Sequence, residues 1–319
     1  MRALITGVAG QDGSYLTELL LSKGYEVHGI GRGLDDEKNL WRIRHLLRNK
    51  SLVLHTGDVT DRPTVWRFVK EVMPDEVYHL AAVSSIPESF QDEFGTFTTN
   101  ISSTHYLLAA LKESAPKAHF YFSSSADCFG KITSSPQNEN TPYNPTSPYG
   151  VSKIASFYLT KLYREAHGLF ACSGIMFSHE SPRRGANFVT RKITTTIAKI
   201  KAGTGKELRL GNLDSRRDWG FAGDYVEAMW FMLQAPVADD YVVGTGETHT
   251  IREFVEAAFA FAGLDWEKYV VIDQSFFRPI EAHEWRADSS KIRTALGWRP
   301  KAGFADLVRM MVEEDMKRV

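Results

Sequence analysis

Two residues one helical turn apart define the chemistry this chain could perform: Tyr149 and Lys153, in Ser147-Pro148-Tyr149-Gly150-Val151-Ser152-Lys153. A helix that begins near Pro148 puts both side chains on one face, because positions i and i+4 are neighbours on a helix surface. A fixed ammonium favours phenolate. The spacing therefore predicts a tyrosine whose pKa is drawn down from about 10 toward the working pH, where a base is most effective. Solvated helix faces carry the same spacing, so the residues upstream decide its meaning. There Ser123-Ser124-Ser125-Ala126-Asp127-Cys128-Phe129-Gly130 follows the apolar stretch 118–122. Ser125 offers a hydrogen bond to the oxygen that Tyr149 would deprotonate, and Asp127 brings a carboxylate within reach of a neighbouring carbon. In isolation these residues read as a serine-rich turn with a capping aspartate. Upstream of Tyr-x-x-x-Lys, in a chain that opens on a glycine turn, they are candidate catalytic groups.

Such groups need a scaffold, and the first half of the chain alternates apolar strand signals (2–6, 26–30, 52–55, 76–80, 118–122) with helical periodicity (from Tyr15, then 40–47, 65–72 and 96–111). That cadence implies βαβ units, hence an α/β, doubly wound parallel sheet covered on both faces. Ligands of such sheets lie beyond the carboxyl ends of the strands. Gly7, Arg32, Asp58, Ala81 and Ser125 each follow a strand at that edge. Between the first strand and its helix stands Gly7-Val8-Ala9-Gly10-Gln11-Asp12-Gly13. Its glycines let backbone approach a ligand, and the helix start aims N–H groups at a pyrophosphate, so Gly7, Gly10, Gln11, Asp12 and Gly13 are expected to hold a dinucleotide. Where an NAD-binding turn places an acid, this chain has Arg32, which would pair with a 2′-phosphate. NADP is the expected cofactor, with Asp35, Asp36 and Glu37 close by. Asp58, beside Val59, can accept from an adenine amino group. After Leu80, the small residues Ala81, Ala82 and Ser84 permit close approach.

At 319 residues the chain is long for one domain, which implies one large domain or one plus a smaller lobe. Lys+Arg number 38 against 39 Asp+Glu, a balance that points to neither nucleic acid nor an anionic membrane. Cys128 and Cys172 form no metal-ligand spacing and no disulfide framework, which fits a reducing compartment. The N-terminal apolar run is too short for a signal peptide, and no stretch reaches the ~18 apolar residues of a membrane span. A soluble cytoplasmic protein is expected. In the second half, Pro182-Arg183-Arg184-Gly185-Ala186-Asn187-Phe188-Val189 leads into a helical stretch, 190–202. Arginine forks match phosphate geometry and a helix start adds partial positive charge. With Arg217 and Arg278 these residues suggest a diphosphate clamp, while Glu180 and Glu281 are candidates for a sugar or a base. The amphipathic stretches 225–233, 251–262 and 304–311 are most simply packing.

Taken together, these residues resemble the extended short-chain dehydrogenase/reductase superfamily and, within it, the GDP-mannose 4,6-dehydratase family. The resemblance covers nearly the whole chain and rests on residues 6–16 (TGVAGQDGSYL), 23–30 (KGYEVHGI), 147–153 (SPYGVSK), 179–192 (HESPRRGANFVTRK), 211–220 (GNLDSRRDWG) and 224–230 (DYVEAMW). The first and third are superfamily-wide; the run at 179–192 is far more specific. The resemblance implies a Rossmann-type domain (1–175) followed by a smaller α/β substrate lobe (176–319), with some segments returning to the first domain. It implies a hydro-lyase that dehydrates GDP-D-mannose by internal hydride transfer, or another GDP-sugar transformation on the same scaffold, and a homodimer or homotetramer. Carried over residue by residue, it gives Ser125, Asp127, Tyr149 and Lys153 catalytic roles, adds His179 and Arg184 to the cofactor set, and assigns Ser178, Glu180, Asn187, Lys192, Arg217, Arg278 and Glu281 to the nucleotide sugar. Three positions depart from the family. Ser125-Ala126-Asp127 stands where the family carries Thr-x-Glu, and an acid one methylene short is displaced by about 1 Å, enough to lower the rate. Ser178 replaces an asparagine. The loop 31–39 is acidic where the family's is basic and serine-rich.

Overall fold

The structure is a computed structural model that describes residues 1–132, 134–277 and 285–319. β1 (Arg2–Thr6) is buried after its first residue, the pattern of a strand covered on both faces. The glycine turn follows and passes into α1 (Gln11–Ser22). The chain continues through β2 (Glu26–Gly31), β3 (Leu52–Thr56), α2 (Arg62–Val72), β4 (Glu76–His79), α3 (Ile86–Gln91), α4 (Glu93–Phe97), α5 (Ser103–Ser114), β5 (His119–Ser125), α6 (Pro148–His167) and β6 (Ala171–Met176). The second half adds β7 (Ser178–Glu180), α7 (Val189–Lys201), β8 (Leu208–Leu210), β9 (Arg216–Arg217), β10 (Trp219–Phe221), α8 (Ala222–Leu233), β11 (Tyr241–Val243), β12 (His249–Thr250), α9 (Ile251–Phe261), β13 (Val270–Ile272), α10 (Ser290–Leu296) and α11 (Phe304–Met316).

Among the described residues, seven parallel strands pair in the order β11-β6-β5-β4-β1-β2-β3. From β1 the chain winds outward through β2 and β3 on one side, then returns to β4 and winds the other way. The reversal opens a crevice at the carboxyl ends of β1 and β4, the place where doubly wound sheets bind ligands. Apolar side chains of α1 and α8 (Leu16, Leu20, Met229, Met232) pack one face of the sheet. Those of α2, α5 and α6 (Phe68, Val69, Leu107, Leu108, Phe157) pack the other. A separate cluster holds α7, α9 and α11 together through Ile193, Ile197, Phe254, Phe259, Leu307 and Met311, with Trp219 among them. No helix among the described residues is long and apolar enough to cross a membrane.

Two expectations about local structure are corrected. Residues 40–47 do not form an α-helix but two short 3-10 turns, Glu37–Leu40 and Arg44–Leu46. The inward residues Leu40, Ile43 and Leu46 recur every three positions, the period at which side chains align on a 3-10 rather than an α-helix. Residues 96–111 are helical but not one regular helix, because a wide π-type turn at Thr98–Ser102 interrupts them. Asn100 sits in that turn and bonds the Val83 backbone twice, accepting from its N–H at 2.9 Å and donating to its carbonyl at 3.1 Å, while also reaching Ser152 at 2.8 Å. Wide turns of this kind recur at functional sites.

Candidate active site

Ser147 caps α6 by accepting from the Gly150 N–H at 3.0 Å, and Pro148 fills the first turn, where no N–H is needed. Tyr149 and Lys153 consequently stand one turn apart on the face toward the sheet edge, 8 % and 4 % exposed. A side chain at Gly150 would lie 2.9 Å from the Asp127 carbonyl, so glycine there lets α6 press against the turn after β5. In that turn Ser125 Oγ donates to the Asp127 carboxylate at 3.1 Å and accepts from the Asp127 N–H at 3.2 Å. Lys153 Nζ donates to the Ser123 carbonyl at 2.7 Å and lies 5.7 Å from the centre of the Tyr149 ring. Phenol, ammonium, hydroxyl and carboxylate thus meet at one point, with geometry suited to moving a proton on and off a substrate oxygen and a neighbouring carbon.

The electrostatics differ from the sequence-based expectation. Burial and the Asp127 charge push the Tyr149 phenol up rather than down, with a hydrogen bond from Ser125 working in the opposite direction. Burial also lowers Lys153 to about 8. His79, at the end of β4, is driven to about 3 by burial and the Lys153 charge, so it is neutral. Ser103 donates to the Thr99 carbonyl, so its hydroxyl accepts from His79 Nε2, leaving Nδ1 to accept from Thr6. Thr6 in turn accepts from the N–H groups of Leu80 and Ala81, both at 3.1 Å. This chain fixes the strand ends on which the cleft is built.

A cleft of about 950 Å³ runs along this edge, at the upper end of the ~300–1,000 Å³ typical of ligand sites. Of the site residues expected from the sequence that fall among the described residues, all but Arg183 line it. Gly7, Gly10, Gln11, Asp12 and Gly13 come from the turn after β1, Arg32 from the end of β2, and Asp58 and Val59 from the end of β3. Leu80, Ala81, Ala82 and Ser84 follow β4, and Ser125, Asp127, Tyr149 and Lys153 supply the reacting corner. Ser178, His179, Glu180, Arg184, Asn187 and Lys192 line the opposite wall between β6 and α7, with Arg217 on β9. Arg278 and Glu281 lie outside the described residues. The turn fits a dinucleotide: Gly7 has a φ of +74°, and a Cβ on Gly13 would stand 2.3 Å from the Gly7 carbonyl oxygen. Only glycine leaves that cradle open. One Asp58 oxygen is engaged by its own loop, accepting from Thr60 N–H and Oγ, both at 2.8 Å.

The paired guanidiniums separate. Arg184 faces the cleft, over the Phe188 ring and 3.3 Å from Glu180, which also accepts from Thr190 at 2.5 Å. Arg183 does not line it. It bonds Glu18 at 2.5 Å and Ser14 at 3.2 Å and stacks on Tyr15, fastening the loop to α1. Sequence reasoning also passed over Arg42, Trp219 and Phe276 of the cleft wall; the last lies 3.8 Å from Lys192 Nζ.

Asp12 and His179 join the two walls. His179 Nε2 is 2.9 Å from Asp12, its Nδ1 is 2.7 Å from the Phe177 carbonyl, and Gln11 bridges Asp12 to the His179 carbonyl. Burial alone would raise Asp12, but the His179 charge and hydrogen bond prevail and bring it to about 2. Burial would lower His179, and Asp12 reverses this, holding the imidazole above its ordinary value. Because the folded pKa of His179 is raised, its share of stability is full below about 6.5 and is lost as pH rises through the folded value. An NMR titration is expected to place the His179 midpoint above 6.5, and Asp12→Asn to bring it down.

The fold and the site define a short-chain dehydrogenase/reductase of the Rossmann type. Among solved structures, the chain is similar over its whole length to RMD from Pseudomonas aeruginosa complexed with NADPH (25% identity, 99% of that chain, TM-score 0.84). It is similar also to Thermus thermophilus UDP-glucose 4-epimerase in complex with NAD (27% identity, all of both chains, TM-score 0.86). The family profile described as GDP-mannose 4,6 dehydratase matches residues 4–311, and the chain belongs to that family of hydro-lyases. It is 50% identical to GDP-mannose 4,6 dehydratase 2 of Arabidopsis thaliana over 327 residues (99% of this chain, 87% of that protein). To the human GDP-mannose 4,6 dehydratase it is 43% identical over 342 residues (99% and 91%).

Proposed function

We propose that the protein uses NADP to convert GDP-D-mannose to GDP-4-keto-6-deoxy-D-mannose and water. The observation that carries this is the meeting of Tyr149, Lys153, Ser125 and Asp127 at the edge of a glycine-cradled cleft, in a member of this family. When bound, NADP+ supplies a hydride acceptor for C4, a donor for C6 and a positive charge that opposes the rise burial imposes on Tyr149. Tyr149 takes the proton of the C4 hydroxyl, with Ser125 holding that oxygen and Lys153 supporting the phenolate. Oxidation to the 4-ketone acidifies the C5 hydrogen, which Asp127 abstracts. Asp127 then passes the proton to the C6 hydroxyl, which leaves as water; as C6 is reduced, C5 takes up a proton from solvent and Tyr149 releases the one it took from the C4 hydroxyl, so protons balance. No cofactor is consumed. Arg184, Lys192 and Arg217 supply positive charge for the diphosphate.

The test is incubation with GDP-mannose without added reductant, read by mass spectrometry. A product lighter by one water supports the reading; unchanged substrate sinks it. Asp127, shorter than the family's glutamate, favours a second reading, another GDP-sugar transformation on the same scaffold. A reductase would turn over only with stoichiometric NADPH.

A further inference from the structure

Among the described residues, Arg42 is a half-buried cation that no carboxylate meets. It lies between β2 and β3, and it lines the cleft. Its Nη1 donates to the carbonyl of Ala9, inside the glycine turn, at 3.2 Å, and its Nε donates to the carbonyl of Arg183 at 2.7 Å. The guanidinium stands 4.4 Å from the Trp41 ring centre. Burial, then the charges of Arg191, Arg183, Arg318 and Arg184, lower its pKa to about 10. Each of those four neighbours has a carboxylate partner: Asp315, Glu18, Glu314 and Glu180. Arg42 has none among the described residues; its hydrogen bonds go to two backbone carbonyls. A guanidinium carries five N–H donors, so most of its capacity is left over. A desolvated cation in a field of like charge is unfavourable until an anion joins it.

The location identifies the anion. Arg42 is held against the glycine turn at Ala9; that turn is tied to the end of β2, where the Gly7 N–H donates to the Ile30 carbonyl at 2.9 Å, and Gly31, Arg32 and Leu34, which follow Ile30, line the cleft. That strand end is where the adenosine ribose of a dinucleotide lies. We propose that Arg42 is a second guanidinium for the cofactor's 2′-phosphate, acting with Arg32, and that its carbonyl contacts strap the glycine turn to the loop bearing Arg184. This rests on the NADP reading above and explains how an otherwise acidic loop, with Asp35, Asp36 and Glu37, could favour a phosphorylated ribose.

Calorimetric titration of NADP+ and NAD+ into wild type, Arg42→Gln and Arg42→Lys, without sugar, tests it. Arg42→Gln is expected to weaken NADP+ by about 10- to 100-fold, the range for a charge-assisted phosphate contact, and NAD+ by less than about threefold. Arg42→Lys retains charge but not the fork and falls between. Equal loss of both cofactors, or loss of neither, overturns the assignment. If Arg42→Gln does not fold, the lysine variant decides by the same NADP+/NAD+ ratio. A wild type that prefers NAD+ overturns the cofactor reading itself; a wild-type NADP+ preference that survives in Arg42→Gln overturns only the role of Arg42.

Discussion

Tyr149→Phe is expected to lower the rate of water loss from GDP-mannose by about 10²- to 10⁴-fold, the span for removing a positioned proton-transfer group. The change deletes one oxygen and keeps the ring that fills this nearly buried position. Lys153 keeps its bond to the Ser123 carbonyl, and the cradle of Gly7 and Gly13 is untouched. Cofactor affinity should therefore stay within a few-fold while C4 oxidation and product formation fall together. Stopped-flow absorbance of reduced nicotinamide separates these quantities: no transient reduction should appear. The sign of the tyrosine shift sharpens the expectation. Burial and Asp127 hold the phenol protonated at neutral pH, so the base works only when positive charge gathers around it, and Lys153, lowered to about 8, carries that charge below its pKa and loses it above. A variant that oxidises C4 at the wild-type rate removes Tyr149 from the role of base.

Most of the scaffold was legible because its signals are local. The turn from Gly7 to Gly13 needs glycine for reasons readable from spacing, and Tyr149 and Lys153 meet because a capped helix leaves them no other choice. Contacts between distant segments were not legible. Arg183 and Arg184 are adjacent and chemically alike, yet Glu18 draws one onto α1 while the other turns to the cleft. The wide turn at Asn100 exists because its side chain reaches the Val83 backbone seventeen positions away, which no periodicity reveals. Residues 40–47 looked helical because three- and four-residue recurrences are hard to distinguish over so short a run. The upward shift of Tyr149 escaped for a related reason: spacing shows a lysine nearby, but the depth of burial is a property of the finished fold.

Asp127 offers the sharpest division of the reaction. Asp127→Asn keeps the shape of the turn but cannot accept the C5 proton, so elimination should slow by about 10²- to 10⁴-fold. C4 oxidation does not need this carboxylate, and removing its charge also removes a cause of the Tyr149 rise. The variant should therefore accumulate reduced cofactor and the 4-keto sugar rather than stall at the start, the opposite of Tyr149→Phe. In the other direction, Asp127→Glu adds one methylene to the acid. If the aspartate works from about 1 Å too far, the longer acid raises the elimination rate, since a displacement of that size can change a rate by up to ~100-fold. If the backbone of the turn has moved to compensate, the longer side chain instead crowds the Ser125 contact, 3.1 Å in this structure, and slows both half-reactions. Exchange of the C5 hydrogen with deuterated solvent, followed by mass spectrometry of the product, reads the step directly. Wild-type exchange in Asp127→Asn would assign the C5 proton to another group and leave Asp127 as a partner of Ser125 alone.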